Sequence, residues 1–396
     1  MNLAILNTAV QEFIDSNLNS DITKLILKGS PFKNIPIKDL VVQIEAKKKC
    51  KSKLPTWFLT KNIYFPYKLN IEQTSSEITA KYKASLISGE SLIDLTGGFG
   101  VDSYYFNKRF KNLTYCEFNK GLSEIVCHNF KQFKGCNIKS VSGDSLEYLK
   151  VSAKKFDWVY IDPSRRHETK GKVFFLKDCL PNVPNNLQLL FEHSNNILIK
   201  ISPLLDISIG LEELQNVKSI HIVSVNNEVK ELLWVLEKDF VNEVNIYTVN
   251  ITKTKSDTFS FVLNSEFNKT INYSEPLKYL YEPNVAVLKS GAFKSIASYY
   301  KINKLHKHSH LYTSEVLIED FPGRSFIIRS ILYYKKSNIK SLKLMKANIT
   351  TRNFPESVEQ IRKKFKIKDG GHIYMFFTTN INNEKIVIVC LQDLSS

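Results

Sequence analysis

The sequence has few cysteines for its length, and they are not grouped. Six cysteines are spread over 396 residues, and none belongs to a C-x-x-C pair. The spacing typical of zinc sites and iron–sulfur clusters is therefore missing, and we expect no metal cofactor. Scattered cysteines are typical of reduced, mostly buried thiols in a cytoplasmic protein.

The sequence also lacks the long apolar run that a membrane-spanning helix requires. No stretch approaches the ~20 apolar residues needed to cross a bilayer. Glu12 and Asp15 lie where a secretory signal peptide would carry a basic and then an apolar segment. We therefore expect a cytoplasmic protein without a membrane partner.

Arginine is scarce, although the protein is strongly basic. Only seven of the 55 basic residues are arginine, and 39 acidic residues leave a formal net charge of +16 at pH 7. This charge suits a polyanionic partner such as nucleic acid. Lysine, asparagine and isoleucine are abundant throughout the chain, however, so a compositional bias of the whole proteome explains the charge equally well.

The length and the pattern along the chain predict several domains. A chain of 396 residues exceeds one ordinary hydrophobic core, and 43% hydrophobic with 24% charged residues is typical of a globular protein. We predict a helical region at residues 1–80, a Rossmann-like domain at 81–268, a small α+β module at 269–324 and a basic α+β domain at 325–396.

Residues 81–268 alternate between strand and helix patterns, which predicts an α/β domain with a parallel sheet covered on both faces. A capping box at residues 74–77 is predicted to begin the helix before the first strand. Asn226 and Asn227 separate two apolar runs and predict an antiparallel hairpin. The predicted strands are 92–95, 113–117, 138–142, 158–161, 197–201, 219–225 and 229–236.

A glycine-rich turn follows the first predicted strand. Asp94 ends the strand, Thr96 lies in the turn, and Gly97, Gly98 and Gly100 precede a predicted helix. Glycines adopt positive φ and let backbone N–H groups approach a ligand, and the next helix points its positive end there. The turn therefore predicts a cofactor site.

Acidic residues end four successive strands: Asp94, Glu117, Asp144 and Asp162. The carboxyl ends of parallel strands meet along one crevice, so we expect all four to line it. Glu117 stands where an acid takes the ribose hydroxyls of a nucleoside cofactor. Asp144 is a candidate acceptor for an adenine amine, and Asp94 either accepts from a ligand amine or orients the turn. Any single one of them could instead be a capping or solvated carboxylate.

The order of acid and glycines favours S-adenosyl-L-methionine over a dinucleotide as the cofactor. Dinucleotide sites prefer G-x-G-x-x-G without an acid just ahead, whereas here Asp94 precedes the glycines. Methyl transfer from a sulfonium needs mainly the alignment of the reacting groups. We therefore expect no nucleophile from the protein itself.

The loop after the fourth strand carries the predicted catalytic residues, Asp162 and Pro163. Asp162 would accept a hydrogen bond from a substrate amine or act as a base. This loop resembles that of amino-directed methyltransferases, which carry an aromatic residue after the Asp-Pro pair; its absence here weakens the case for an exocyclic amine. Arginines at this place can stack on a base or clamp a phosphate, or form a plain surface pair. The predicted substrate-binding residues are Ser164, Arg165, Arg166 and Lys200, the last of which could instead extend to solvent.

Three histidines at alternate positions, His306, His308 and His310, would share one face only in a strand. No nearby carboxylate or thiol completes a ligand set, so we predict no metal site there.

The chain resembles known families at two levels. Residues 70–265 resemble class I S-adenosylmethionine-dependent methyltransferases through Asp94–Gly100, Glu117, Asp144 and Asp162-Pro163, which implies seven strands with an antiparallel last hairpin. The whole chain is similar to a bacterial methyltransferase-like family with a ferredoxin-like insert and a carboxyl-terminal THUMP-like domain. The segments that carry this second resemblance are 72–77, 162–166, 282–284, 289–293, 321–324 and 352–355.

The second resemblance implies an RNA substrate, tRNA or rRNA, because THUMP domains bind structured RNA. It places the ferredoxin-like module at 269–324 and the THUMP-like domain at 325–396, where basic residues are concentrated. Two alternatives remain: a methyltransferase for a protein or small molecule, and a non-catalytic RNA-binding protein that retains the fold. The oligomeric state does not follow from the sequence.

Overall fold

The structure is a computed structural model that describes residues 1–165 and 175–392. The chain divides into two compact units, Met1–Lys218 with Leu232–Val241, and Ser219–Glu231 with Asn242–Ser396. The four domains predicted from the sequence remain predictions. Within the described ranges, no helix is both long enough and apolar enough to cross a bilayer.

The first unit begins with short helices whose apolar faces form a small core. Ile5, Val10, Ile14, Leu40 and Ile44 are buried together in this core. The helical start that the sequence predicts is confirmed. The helices are α1 (Thr8–Ser16), α2 (Ile22–Lys28), α3 (Ile37–Lys53), α4 (Pro55–Leu59), α5 (Lys68–Gln73) and α6 (Glu77–Leu86).

The helix α6 does not begin at the predicted capping box. Its N-cap is Ser76, whose side chain accepts a hydrogen bond from the backbone N–H of Thr79 at 3.2 Å. Glu77 instead reaches across the unit, where it accepts from the backbone N–H of Thr56 at 2.5 Å and from the hydroxyl of Tyr105 at 2.7 Å. Glu77 therefore joins the helical region to the sheet domain, a tertiary role that local spacing does not reveal.

A mostly parallel sheet forms the rest of the first unit. Its strand order is β9-β7-β4-β1-β2-β3, and only β9 runs antiparallel to its neighbour β7. The elements are β1 (Gly89–Asp94), α7 (Val101–Phe106), β2 (Phe110–Glu117), α8 (Lys120–Phe130), β3 (Ile138–Ser142), α9 (Ser145–Val151), β4 (Trp158–Ile161), β5 (Ser164–Arg165), β6 (Cys179–Leu180), α10 (Val183–His193), β7 (Asn196–Ile201), α11 (Ile207–Glu213), β8 (Val217–Val225) and β9 (Glu228–Glu237).

The alternation of apolar strands and amphipathic helices explains this sheet. Each of the central strands β1, β4 and β7 contains three consecutive buried residues, 92–94, 159–161 and 197–199, as parallel strands between helix layers require. The predicted parallel α/β architecture is confirmed, and so is the antiparallel direction of β9. The boundary between the two units crosses β8 and β9, so the count of seven strands remains a prediction.

The second unit contains the rest of β8 and the carboxyl-terminal third of the chain. Here β10 (Asn245–Ile251) runs parallel to β8 and antiparallel to β11 (Ser256–Val262). A separate sheet has the order β13-β14-β12-β15-β18-β17-β16. Its elements are α12 (Leu263–Asn268), β12 (Tyr279–Pro283), α13 (Val285–Ser290), α14 (Phe293–Tyr300), β13 (Asn303–Lys304), β14 (Tyr312–Ser314), β15 (Gly323–Tyr333), α15 (Lys336–Ser341), β16 (Asn348–Arg352), α16 (Val358–Phe365), β17 (Ile373–Thr379) and β18 (Lys385–Gln392).

Candidate functional site

A cavity of about 790 Å³ opens at the carboxyl ends of β1, β2 and β4. The predicted site residues that line it are Asp94, Thr96, Gly97, Gly98, Glu117, Asp144, Asp162 and Ser164. Gly100, Pro163, Arg165 and Lys200 lie next to these residues in the chain or in space but are not part of the lining. Arg166 lies outside the described residues.

The turn after β1 packs directly on a tyrosine of β2. A Cβ atom on Gly97 would lie 2.0 Å from the ring of Tyr115, and the Gly97 N–H donates to the carbonyl of Cys116 at 2.8 Å. The Tyr115 hydroxyl in turn donates to the carbonyl of Gly98 at 2.7 Å. Only glycine permits this approach, so the sequence requirement at position 97 is steric.

Glu117 is held at the rim of the cavity by two backbone N–H groups. Its Oε2 accepts from Gly98 at 2.9 Å, and its Oε1 accepts from Asn119 at 2.7 Å. Gly98 has φ of +52°, a left-handed conformation in which glycine carries little strain. A carboxylate oxygen has two lone pairs, so each oxygen of Glu117 retains capacity for a ligand hydroxyl.

Gly100 supports the site from behind rather than lining it. It is the N-cap of α7 with φ of +77°, and a Cβ there would lie 2.7 Å from both Val126 and Phe130. Its N–H donates to the carbonyl of Gly97 at 2.8 Å, which closes the turn. Gly100 therefore sets the shape of the turn.

Asp94 is buried, with 1% of its surface exposed, and both of its oxygens are engaged by the turn. Oδ1 accepts from the Thr96 N–H at 3.0 Å, and Oδ2 accepts from the hydroxyl of Ser103 at 2.5 Å. Burial raises the pKa of Asp94 to about 7, although these hydrogen bonds act in the opposite direction. Of the two roles considered from the sequence, orienting the turn is the one these bonds perform.

Asp144 combines a capping role with its place at the cavity. Its Oδ1 accepts from the N–H groups of Leu146 and Glu147, at 2.9 and 3.2 Å, as the N-cap of α9. The side chain is solvent-exposed and also lines the cavity. Asp144 therefore caps a helix, as considered from the sequence, and also lines the cavity.

In the sheet, β1 lies between β4 and β2, so Asp162 and Glu117 flank the glycine turn. Asp162 is paired with Lys200. Lys200 Nζ donates to Asp162 Oδ2 at 2.5 Å, with 15% of the lysine side chain and 31% of the aspartate side chain exposed. The Asp162 N–H donates to the hydroxyl of Thr96 at 2.6 Å, which connects the β4 loop to the glycine turn. Lys200 therefore fixes one oxygen of Asp162, and the partly exposed carboxylate lines the cavity.

The residues after Pro163 are fixed by a small ladder. Ser164 and Arg165 form β5, which pairs antiparallel with Leu180 and Cys179 of β6. Ser164 and Leu180 both line the cavity. The β5–β6 pair therefore forms a wall beside Asp162.

A buried ion pair in the wall of the cavity was not predicted from the sequence. Lys83 is fully buried, and its Nζ lies 3.2 Å from Asp102 Oδ1 and donates to Ser75 at 2.9 Å. Asp102 Oδ2 accepts from the hydroxyls of Ser75 and Tyr160, at 2.8 and 2.7 Å. Burial opposes ionisation of Asp102, but Lys83, Lys200 and these hydroxyls outweigh it and lower its pKa.

Other parts of the cavity wall come from segments the sequence analysis did not assign to the site. Phe118, which follows Glu117, lines the cavity with 78% of its surface exposed. The only feature of the sequence that could have identified it is an aromatic residue directly after the acidic strand end. Other wall residues of this kind include Asn70, Gln73, Thr74, Asn182 and Asn186.

The three histidines of the second unit do not converge. His306 exchanges side-chain hydrogen bonds with Asn383 at 3.1 Å and Asn353 at 3.0 Å, whereas the His310 ring stacks on Phe293 at 3.7 Å between centroids. Burial lowers the pKa of His310 to about 4, with nearby positive charge acting in the same direction. Within the described ranges, no group of three or more histidine, cysteine, aspartate or glutamate side chains is placed to hold a metal ion.

Comparisons with known proteins agree with this arrangement. A family profile described as a ferredoxin-like domain matches residues 279–322, and one described as THUMP domain-like matches residues 323–392. The crystal structure of a candidate methyltransferase from Porphyromonas gingivalis W83 is similar over 98% of both chains, with 31% identity and a TM-score of 0.88. A search of curated proteins gave no match.

More distant similarities are confined to part of the chain. TrmK of M. capricolum with S-adenosyl-homocysteine has 14% identity and a TM-score of 0.32, and covers 45% of this chain and 70% of its own. The tRNA (uracil-54, C5)-methyltransferase of Pyrococcus abyssi has 17% identity and a TM-score of 0.29, and covers 44% and 40%. Similarity at this level does not establish a shared activity.

Replacing Gly97 tests the packing of the turn. Gly97→Ala places a methyl group into the Tyr115 ring, so we expect a loss of about 1–3 kcal/mol in the free energy of unfolding, measured in urea. Gly121→Ala is the matched control, because Gly121 lies in α8 and a Cβ there meets only Asn119 at 3.5 Å. Equal stability of the Gly97 variant and the wild type would contradict the packing argument.

The pKa of Asp94 predicts a pH dependence of stability. Its value of about 7 exceeds the ordinary 3.8, so the folded state binds more protons and this stabilisation is lost as pH rises from about 4 through about 7. Between about pH 5 and about pH 8, the wild type should lose roughly 2 kcal/mol more unfolding free energy than Asp94→Asn. Urea unfolding at both pH values measures the difference, and parallel losses in both proteins would refute the assignment.

Proposed function

The chain belongs to the methyltransferase family that combines a class I methyltransferase domain with a ferredoxin-like and a carboxyl-terminal THUMP-like domain, and from this we propose that it is an S-adenosylmethionine-dependent methyltransferase that acts on RNA. The observation that carries the proposal is the convergence of the glycine turn, Glu117 and Asp162 on one cavity. Each of these is supplied by a different strand end of the parallel sheet. Ligands of open α/β sheets bind at such strand ends.

The cavity residues fit an adenosyl ligand. Glu117, held by the N–H groups of Gly98 and Asn119, presents a carboxylate that can accept from both hydroxyls of a ribose. The exposed ring of Phe118 offers a flat apolar surface for a purine, and Asp144, which lines the same cavity, is a candidate acceptor for the exocyclic amine. The volume of about 790 Å³ lies within the usual range of small-molecule sites.

Asp162 and Lys200 suit the positioning of a methyl acceptor. When bound, S-adenosylmethionine supplies an electrophilic methyl group on a sulfonium. Asp162 accepts a hydrogen bond from the nucleophile through Oδ1, while Lys200 fixes Oδ2 and keeps the carboxylate in one orientation. Pro163 limits the backbone after Asp162 through its fixed φ, and Ser164 lines the same cavity.

RNA is the substrate class that the second unit favours. Residues 323–392 match the THUMP-like profile, and THUMP domains bind structured RNA. The net charge of +16 provides long-range attraction to a polyanion. Arg165 lies next to the Asp162 loop and is a candidate for a phosphate or base contact, as is Arg166, which the structure does not describe.

The experiment that tests the proposed function supplies the enzyme with unmodified substrate. Purified protein and methyl-labelled S-adenosylmethionine are incubated with total RNA from a strain that lacks the gene. We expect the RNA to become labelled and ribonuclease to release that label. RNA from the parent strain should accept little label. Label in protein or in small molecules, with none in RNA, would instead support the alternative substrates.

Removal of the Glu117 carboxylate should weaken cofactor binding. Glu117→Ala loses the two ribose hydrogen bonds, so we expect about 1.5–3 kcal/mol less binding free energy for S-adenosylmethionine by calorimetry. Glu124→Ala is the control, because Glu124 is exposed on α8 and does not line this cavity. Unchanged affinity in the folded Glu117 variant would exclude the proposed ribose contact.

Removal of the Asp162 carboxylate should affect turnover more than cofactor affinity. In Asp162→Ala we expect normal calorimetric binding of S-adenosylmethionine and a loss of methyl transfer of about 100-fold or more, because the acceptor is no longer oriented. Asp157→Ala, which removes a carboxylate at the opposite end of β1 and β4, is the comparison. Methyl transfer at the wild-type rate would remove Asp162 from the mechanism.

A further inference from the structure

Three segments of the second unit meet at the carboxylate of Glu282. Arg324 Nε donates to Glu282 Oε2 at 3.0 Å, and Arg324 Nη2 donates to the same oxygen. Arg352 Nη2 donates to Oε1 at 2.8 Å. These residues come from the segments 282–284, 321–324 and 352–355 that distinguish the family, and whose chemistry the proposed methyl transfer leaves unexplained.

The arrangement fixes two guanidinium groups with one buried carboxylate. The Glu282 side chain is 5% exposed, whereas those of Arg324 and Arg352 are 41% and 36% exposed. One carboxylate against two guanidinium groups leaves a net positive charge. Because Glu282 restricts both side chains, less rotamer entropy is lost when they contact a ligand.

The backbone brings Arg324 to this position by a close approach. In the β12–β15 ladder, Glu282 pairs with Arg324 and Pro283 pairs with Gly323. A Cβ on Gly323 would lie 2.1 Å from the carbonyl oxygen of Glu282. Glycine before Arg324 is therefore needed for the guanidinium to reach the Glu282 carboxylate.

A cavity of about 210 Å³ lies beside this cluster, within the second unit. It is large enough for a phosphate group and its bound water, but small for a nucleoside. Most of its lining residues are polar or charged. The lining residues used in the argument are Asn227, Asn250, Lys255, Glu282, Asn284 and Arg324.

The three asparagines of the wall have their carbonyl oxygens occupied by the fold. Asn227 Oδ1 accepts from Val285 N–H at 2.9 Å, and Asn250 Oδ1 accepts from Asn227 N–H at 2.8 Å. Asn284 Oδ1 caps α13 by accepting from two backbone N–H groups at 3.0 and 3.1 Å. An amide whose oxygen is fixed in this way offers its NH₂ group as a donor in the other direction.

The amide nitrogen of Asn284 differs from those of the other two asparagines. Asn284 is 4% exposed, and its Nδ2 is buried without a hydrogen-bond partner within the described part of the chain. This nitrogen has less than 1 Å² of accessible surface, so it does not face the cavity and is not one of its donors. The wall contains two carboxylates, and each is paired with a cation: Glu282 with Arg324, and Asp257 with Lys255 at 3.3 Å. The wall is therefore rich in donors and carries no unpaired negative charge.

We propose that this cavity is a phosphate-binding site of the second unit, with the Arg324 guanidinium and the wall amides of Asn227 and Asn250 as donors. A phosphate oxygen pair matches the fork of a guanidinium, and the remaining oxygens accept from amide groups. The phosphate belongs either to an RNA backbone or to a free nucleotide. The RNA source rests on the proposed function, whereas phosphate binding itself does not.

The first test uses inorganic phosphate and the full-length protein in phosphate-free buffer. Phosphate titration monitored by ³¹P NMR should saturate in the wild type, and Arg324→Gln should weaken binding roughly tenfold. Glu282 retains Arg352 in this variant. Lys255→Gln leaves the ion pairs of Glu282 intact, because Lys255 pairs with Asp257. It should also weaken phosphate binding, but by a smaller factor. Circular dichroism establishes that each variant is folded.

Arg362→Gln is the matched control. Arg362 lies in α16 and pairs with the exposed Asp369, and it does not line the cavity. It makes the same change of charge, so its phosphate affinity should equal that of the wild type. Absence of saturable phosphate binding in the wild type, or an equal loss in the Arg362 and Arg324 variants, would overturn the proposal.

The second test distinguishes the two sources of phosphate. Binding of a single-stranded oligouridylate is measured over a range of salt concentrations, where each lost phosphate contact lowers the slope of log affinity against log salt by about 0.7. Arg324→Gln should lower the slope by that amount and Arg362→Gln should not, which supports RNA as the source. An unchanged slope, together with weakened binding of uridine monophosphate, supports the site with a free nucleotide as its ligand.

A loss of methyl transfer or cofactor binding would not affect either measurement, because neither includes S-adenosylmethionine. Failure of the proposed methyltransferase activity and failure of the phosphate site are therefore distinguishable. If the wild type binds neither phosphate nor oligouridylate, the inference is refuted. The contacts of Glu282 with Arg324 and Arg352 would then have a purely structural role.

Discussion

The candidate site depends on the close approach of Gly97 to the Tyr115 ring. Because no side chain separates the turn from β2, the N–H of Gly98 reaches Glu117 and the Tyr115 hydroxyl reaches the Gly98 carbonyl. The same turn is held from the other side by the buried carboxylate of Asp94. Two neighbouring strands and one glycine turn are thereby locked into the shape that defines the cavity rim.

The four strand-end acids share a location but differ in what they do. The oxygens of Asp94 accept hydrogen bonds from the turn and from Ser103, and Asp144 caps a helix. Glu117 lines the cavity, and Asp162 is paired with Lys200. Their differences come from what the surrounding backbone offers. Buried N–H and hydroxyl donors draw a carboxylate into the fold, whereas a carboxylate at the rim keeps lone pairs for a ligand. A common position in the sheet therefore does not imply a common role.

The sequence predicts the sheet and the neighbourhood of the site well, because both follow from short-range patterns. Apolar runs with turn residues at their ends mark the strands, and the ends of parallel strands must meet at one edge. The ion pair of Lys83 with Asp102 could not be foreseen, since it depends on α6 packing against α7. The same holds for Glu77, whose spacing from Thr74 imitates a capping box while its partners, Thr56 and Tyr105, are distant in sequence. In the second unit, the Arg324 and Arg352 segments are recognisable as motifs, but only the strand register reveals that both meet Glu282.

A crystal structure of the protein with S-adenosyl-homocysteine tests the central claim most directly. The account predicts that the ribose hydroxyls lie within hydrogen-bond distance of both Glu117 oxygens, with the adenine against Phe118 and the sulfur directed towards Asp162. Ligand bound elsewhere on the chain, or bound in the cavity with the Glu117 carboxylate turned away from the ribose, would contradict it.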